Sequence, residues 1–328
     1  MRVAVLGGGR SSEHEVSLAS AAGVSAGLAQ GGHEVVSVQI GRDGRWTHEG
    51  APVTLEPGCG LLGCDVVFPA LHGPYGEDGT VQGLLECLDV PYVGSDVAAS
   101  ALCMDKVRFK ALMSTAAIAQ VEHAGVREAD WRADRDGVLA RLAPLRLPVF
   151  VKPNRLGSSV GISKAREEAA LAAALEEAFV HDEVAIVEAA ASGLEVEASV
   201  LGDAAPCVSP PGEIVLSSAE FYDYAAKYDE GGMSLIVPAR IGAGAAEALA
   251  RIAVEAFVLA GASGLARADF FVDGDRVLLN ELNTMPGFTP TSVYAKLWEA
   301  GGLPYPALVE QLCAIACERH ARTRRHVS

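Results

Sequence analysis

The chain has no apolar run approaching the ~20 residues that a membrane-spanning helix requires. Its start does not read as a signal peptide either. Met1 to Leu6 form a short strand pattern that runs straight into Gly7-Gly-Gly9, with no charged region ahead of an apolar core. A soluble, cytoplasmic protein is expected. Positive charge is scarce: 26 Lys and Arg stand against 42 Asp and Glu, a formal net charge of -16 over 328 residues. An acidic surface disfavours a phosphate-backbone partner, so neither a nucleic acid nor a membrane is expected as partner. It also makes the lysines and arginines inside motifs informative, because an anionic substrate must find its positive charge locally. The seven cysteines are odd in number and include no Cys-x-x-Cys pair. Cys313 and Cys317, one helical turn apart in an apolar stretch, read as buried helix residues, and the pattern fits a reducing compartment. No Gly-x-x-x-x-Gly-Lys-Ser/Thr occurs, which argues against a P-loop nucleotidase. Gly7-Gly-Gly-Arg-Ser-Ser12 has serine where a dinucleotide fingerprint needs its third glycine, so a nicotinamide enzyme is disfavoured. Internal repeats and low-complexity linkers are absent too.

What is present is an α/β pattern long enough for two or three domains, half of it hydrophobic. Strands are expected at Val3–Leu6, Glu34–Ile40, Val66–Ala70 and Tyr92–Val93, with helices at Val16–Leu28 and Thr80–Leu88. That alternation means parallel pairing, with ligand-binding loops at the strand ends, here Gly7–Glu15 and His72–Gly79. Four segments are expected: an N-terminal α/β domain (1–97), a central unit (98–187), a C-terminal unit (188–318) and a basic tail (319–328). The central unit opens with a helix bearing Asp105, Lys106, Arg108 and Lys110. An acidic helix Arg132–Leu142, the strand Pro148–Lys152 and the helix Glu167–Phe179 follow. The strand Val184–Glu188 crosses into the C-terminal unit, which adds a strand Glu195–Leu201, a polar aromatic loop Phe221–Met233 and a helix Ala245–Ala260. A last helix spans Leu303–Cys317, and the tail is read as a frayed terminus.

Chemistry concentrates in three places. In the hairpin Arg267–Asn283, strand alternation places Arg267 with Asp269 and Glu281 with Asn283. A three-residue turn Asp273-Gly-Asp275 would put all four on one face. Two carboxylates and an amide form an all-oxygen set suited to Mg²⁺, and the arginine could neutralise a phosphoryl group or an oxyanion. A solvated polar face is the alternative. The loop Lys152-Pro-Asn-Arg-Leu-Gly-Ser-Ser-Val-Gly-Ile-Ser163 follows a strand and is able to cradle phosphates with backbone N–H groups, hydroxyls and Lys152. Glu13 and Glu15 either bind an amine or are first-turn helix acids. His72 is either catalytic or structural, and the segment holding Lys227 and Tyr228 is either a lid or a packed loop.

Six segments then stand in order: Gly8–Ser17, His72–Gly79, Met104–Lys106, Val151–Gly161, Phe221–Tyr228 and Asn280–Ser292. Together they resemble the D-alanine–D-alanine ligases, over residues 3 to about 313. The resemblance implies a three-domain ATP-grasp architecture with an N-terminal parallel α/β domain, ATP as co-substrate, two Mg²⁺ (or Mn²⁺), D-alanine as substrate and a homodimer. It also implies residue roles. Lys106, Lys152 and Lys227 would serve the ATP phosphates. Glu188 and Glu195 would bind the adenine edge and the ribose, while Ala189 and Ala191 offer main-chain atoms to adenine. Asp269, Glu281 and Asn283 would be the metal ligands. Glu13, with Ser158 and Tyr228, would hold the first D-alanine. His72 belongs to the substrate site, Arg267 and the Gly287 N–H would stabilise the oxyanion, and Ser292 would grip the second carboxylate. Ala225 and Leu194 depart from glutamate and arginine frequent in the family. Both bear on lid stability and nucleotide affinity, not on reacting groups. Depsipeptide- and D-serine-forming relatives, or another ATP-grasp carboxylate–amine ligase, remain the alternatives.

Overall fold

Val3 to Leu6 are buried on both faces, as the middle strand of a parallel sheet must be. A computed structural model of the chain describes residues 1–157, 160–216 and 232–326. Ser158, Lys227 and Tyr228, with nearly all of the expected loop Phe221–Met233, lie outside them. The strand Arg2–Gly8 pairs in parallel with Glu34–Ile40 and Val66–Pro69. Two short antiparallel strands, Trp46–His48 and Ala51–Pro52, extend the sheet beyond Glu34–Ile40. Tyr92 contributes a single parallel bridge to Val67 instead of the expected strand. The sheet ends where Gly8 adopts a φ of +95, and a Cβ there would sit 2.3 Å from the Ile40 carbonyl oxygen. Only glycine fits, and the close approach lets the Gly9 N–H reach that oxygen at 2.8 Å.

A four-stranded antiparallel sheet follows, in the order His123–Arg127, Val184–Ala189, Val149–Pro153, Ser163–Ala165. The third sheet runs Met233–Ile236, Gly212–Leu216, Leu194–Gly202, Gly264–Asp273, Arg276–Asn283, with Cys207–Val208 paired to Leu194–Gly202. The helix expected to carry Asp105 and Lys106 is two helices, Val97–Met104 and Lys106–Thr115. Asp105 breaks it with an extended backbone, and its carboxylate caps the second helix by accepting the Arg108 N–H at 3.0 Å. The expected helix Arg132–Leu142 divides in the same way, into Glu128–Ala133 and Arg135–Leu142, with Asp134 accepting the Gly137 N–H. Cys103, Phe109 and Met113 pack with Val196, Phe270 and Leu279, so the two helices at 97–115 cover the third sheet, not the second.

The first and third units share a core. Val5, Val66 and Phe68 meet Phe288, Tyr294, Leu308 and Leu312, with the Phe68 and Phe288 rings 5.3 Å apart. This packing brings the segment around Gly287 to the strand ends of the first sheet. Among its described residues the basic tail is not frayed. The last helix runs Tyr305–Arg324. Arg319 lies 4.7 Å over the Tyr92 ring and donates to the carbonyls of Gly94 and Tyr92. Arg322 pairs with Asp203, and Arg324 with Asp89. Basic residues suit the last turn of a helix, and here acidic partners waited for them. All seven cysteines are free, with Cys313 buried in this helix as expected and Cys317, expected buried as well, only half-buried. No described helix is long and apolar enough to cross a membrane.

Candidate active site

Asp273 pairs with Arg276, so the hairpin turns on two residues, not three. Carried on regularly, that register would send Glu281 to the face opposite Asp269. A bulge between Asp269 and Phe270 absorbs one residue, Asn280, and restores the match. Asp269 stands directly across from Glu281, and Arg267 across from Asn283. The four side chains share a face, though for a different reason than the turn length suggested. Arg267 donates to both oxygens of Asp269, at 2.7 Å each, and its Nε lies 3.0 Å from the fully buried Glu197. The Asn283 side-chain oxygen accepts the Met285 N–H at 3.1 Å.

Among the described residues no three His, Cys, Asp or Glu cluster as a metal site. The candidate set is two carboxylates and an amide, and these suit Mg²⁺, which takes a few protein oxygens and completes its shell with phosphates and water. The residues present therefore fit a divalent ion carried in with a nucleotide.

Two lysines approach this face, and a third stands behind them. Lys106 donates to the Leu156 carbonyl at 2.8 Å and lies 3.9 Å from Glu281. Its burial pulls its pKa down, against the attraction of Glu281. Lys152 lies 2.6 Å from one oxygen of Glu188, and Lys110 lies 2.9 Å from the other. Burial works against the Lys152 charge, but Glu188 and Glu281 outweigh it and raise its pKa. Burial alone would raise Glu188; Lys152 and Lys110 hold it well below the carboxylate range. Glu188, expected at the adenine edge, thus lines the cavity with its carboxylate turned onto two lysines.

A cavity of about 540 Å³ opens between the second and third sheets. Lys106, Lys152, Glu188, Asp269 and Glu281 line one end. Ala189, Ala191, Glu195, Phe150, Ile214 and Leu216 line the rest, an apolar slot with a polar edge. A smaller pocket of about 90 Å³ adjoins it, with Glu13, His72, Glu77, Arg267, Asn283 and Gly287 in its wall. Lys106, Gly157 and Glu281 belong to both linings, so the two chambers meet there.

The smaller pocket is built from loops braced by buried polar bonds. Ser11 donates to the His72 carbonyl at 2.6 Å and accepts the Glu13 N–H at 3.2 Å. Buried Glu13 directs a carboxylate oxygen to within 3.2 Å of where a Gly157 Cβ would stand, so glycine there leaves the acid accessible from the phosphate loop. The His72 ring is committed on both sides, with Nε2 2.8 Å from the Ser20 hydroxyl and Nδ1 3.0 Å from the Met285 carbonyl. Burial lowers its pKa, so a neutral imidazole ties the first domain to the 284–292 segment. The Ser292 hydroxyl accepts the Thr289 N–H at 3.0 Å and lies 3.3 Å from where a Gly287 Cβ would be.

Reading the sequence missed Lys110, Glu197 and Glu77. Lys110 follows Lys106 by four residues on a helix, and Glu197 follows Glu195 by two on a strand. Both periods were available as signals. Glu77 sits inside a motif whose histidine drew the attention. It accepts the Gly73 N–H at 2.8 Å, and burial, reinforced by Glu13, pushes its pKa up to about 8 from 4.5. The fold therefore prefers Glu77 protonated. Its stabilising contribution is complete below pH 4.5 and is lost as the pH rises through 8. Glu77→Gln should remove a slope of up to about 1.4 kcal/mol per pH unit across that window. Denaturant unfolding of both proteins from pH 5 to 9 checks this, and parallel curves would refute it.

A slot of this size between two antiparallel sheets, with lysines and carboxylates at its end, defines an ATP-grasp ligase fold. The family models "D-ala D-ala ligase N-terminus" and "D-ala D-ala ligase C-terminus" match residues 2–60 with 54–95 and residues 112–314, respectively. The chain belongs to the D-alanine–D-alanine ligase family. It is 43% identical to the D-alanine–D-alanine ligase of Geobacillus kaustophilus, over 97% of this chain and 95% of the relative. With that of Deinococcus radiodurans it shares 44% identity, over 97% and 98%. The solved D-alanine–D-alanine ligase of Coxiella burnetii superposes with a TM-score of 0.89 at 35% identity, covering 100% of this chain and 97% of that one. The VanG D-Ala:D-Ser ligase of Enterococcus faecalis gives 0.86 at 35% identity, over 96% and 99%.

Proposed function

We propose that the chain joins two D-alanine molecules at the expense of ATP, forming the dipeptide used in peptidoglycan precursor synthesis. The observation that carries the reading is the meeting of the two chambers at Lys106, Gly157 and Glu281. An amino-acid carboxylate in the small pocket would there face the terminal phosphate of a nucleotide in the large one.

A carboxylate resists attack by an amine because its oxygen leaves poorly. Transfer of the γ-phosphoryl group to the first D-alanine carboxylate releases ADP and makes an acyl phosphate. This in-line step needs positioning and charge neutralisation more than covalent help. Lys106 and Lys152 serve the phosphates, and Glu13 holds the first ammonium. Asp269, Glu281 and Asn283 would hold divalent metal, two Mg²⁺ or Mn²⁺ ions in this reading, which supply charge neutralisation at the phosphates. The amine of the second D-alanine loses a proton and attacks the acyl carbon, Arg267 and the Gly287 N–H receive the oxyanion, and phosphate departs. Ser292 grips the acceptor carboxylate, and His72 keeps its segment in place. Ser158 and Tyr228, as partners of the first substrate and ties of the lid, and Lys227, at the ATP phosphates, complete the set on the strength of the family motifs alone. The family motifs also support a cytoplasmic homodimer.

The test is ADP and phosphate release with D-alanine as sole amino acid and L-alanine as control. Release with D-alanine only is expected; none, or equal release with both, would overturn the proposal. The likeness to a D-Ala:D-Ser ligase, at the same 35% identity as the solved D-alanine–D-alanine ligase, gives the acceptor question content. Product analysis in mixtures of D-alanine with D-serine or D-lactate should show D-alanyl-D-alanine as the main product.

A further inference from the structure

Lys110 is a buried cation, 1% exposed, that no step above employs. It lies one turn beyond Lys106 on the helix Lys106–Thr115, so the two ammonium groups share a helix face. Lys106 reaches the nucleotide cavity, whereas Lys110 is not among the described residues that line it. Its Nζ meets Glu188 Oε1 at 2.9 Å, while Glu188 Oε2 meets Lys152 Nζ at 2.6 Å. One enclosed carboxylate is thus divided between a lysine that faces the cavity and one that does not. Backbone pairing fixes the arrangement: Phe150 stands opposite Glu188 and Lys152 opposite Ile186, which sets Lys152 and Glu188 diagonally on one face.

We propose that Lys110 is a positioning residue for nucleotide binding: it anchors and neutralises Glu188, so that Lys152 can turn from that carboxylate to an ATP phosphate. The inference rests on reading Lys152 as a phosphate ligand. A carboxylate as enclosed as Glu188, 3% exposed, is costly to leave without a counter-charge. Were Lys152 its only cation, every movement of Lys152 toward a phosphate would strand it. With Lys110 on the other oxygen, Glu188 remains paired when Lys152 leaves. Without Lys110 the whole charge of Glu188 would fall on Lys152 and compete with the phosphate for it.

The experiment measures KM for ATP, KM for D-alanine and kcat in the full-length wild type and in Lys110→Met, Lys152→Met, Glu188→Met and the Lys110→Met/Glu188→Met double variant. Lys110→Met should raise KM for ATP about tenfold, with KM for D-alanine and kcat within about twofold of wild type. A purely structural role would lower the melting temperature without that selective shift, and an unchanged KM for ATP in folded Lys110→Met overturns the inference. Should Lys110→Met not fold, the double variant removes the Lys110–Glu188 pair together and leaves Lys152 beside Glu281, so the effect of Lys110 is still measured. With Glu188 gone Lys110 has nothing to act through, so Glu188→Met and the double variant should share one KM for ATP. A further rise in the double variant overturns the inference. If Lys152→Met leaves KM for ATP unchanged, the phosphate-ligand reading fails instead, whatever Lys110 does.

Discussion

Glu281→Ala should abolish D-alanine-dependent ADP release, by about a thousandfold or more, while leaving the fold nearly untouched. Glu281 stands at the junction of the two chambers, opposite Asp269 across the hairpin, and with it would hold a divalent ion that supplies charge neutralisation at the phosphates. Its role in stability is minor by comparison. The side chain is 30% exposed, and its described ion pair with Lys106 is a loose 3.9 Å contact. A long contact of that kind contributes about 1 kcal/mol, small beside a loss of turnover of that size. The melting temperature should therefore stay close to wild type while turnover disappears. Glu281→Gln keeps the shape and one oxygen donor but loses the charge, so it should retain weak activity that demands more Mg²⁺. Coupled ADP-release assays across a magnesium titration, with thermal melts alongside, check both statements. Wild-type turnover in Glu281→Ala would remove the metal assignment.

The path from sequence to site was uneven, and the reasons are physical. Long periodic elements could be read almost to the residue: Glu34–Ile40, Thr80–Leu88 and Arg276–Asn283 are where alternation and helical spacing put them. Short strands such as Trp46–His48 and Ser163–Ala165 carry too few residues to show a period and gain their place only from a neighbour's edge. The split at Asp105 was visible in principle, since aspartate is both a helix breaker and a cap, but the helix-forming alanines before it and the Lys106, Arg108 and Lys110 that follow it read as one continuous helix. The hairpin shows a deeper limit. Spacing indicated that Arg267, Asp269, Glu281 and Asn283 share a face, but through a turn the chain does not make. The bulge that corrects the register at Asn280 has no glycine and no other local mark. It is selected by pairing across the sheet, which a single strand does not reveal. The tail was misjudged because its arginines find Asp89, Asp203 and the carbonyls of Tyr92 and Gly94, partners more than a hundred residues away.

Arg267 is the second position where a single change should have a large effect, and here activity and stability should fall together for separable reasons. The guanidinium lies between Asp269, held through two 2.7 Å bonds, and Glu197, 3.0 Å from Nε and fully buried. Arg267→Met would leave two enclosed carboxylates around an apolar side chain, a loss typically of 3–5 kcal/mol, about the same here. Arg267→Lys keeps a charge, but a single ammonium cannot reproduce the planar fork that serves both acids and still faces the pocket wall. For that variant kcat should fall by about a hundredfold to a thousandfold, the usual loss of one oxyanion donor. KM for ATP should move much less, because the lysines at the end of the nucleotide cavity are unchanged. Pairing Arg267→Met with Glu197→Gln separates the two effects. Removing the stranded negative charge should restore a good part of the lost stability, read by denaturant unfolding, while ADP release stays as low as in Arg267→Met. Activity returning with stability would mean that Arg267 serves only to neutralise Glu197 and takes no part in stabilising the tetrahedral oxyanion.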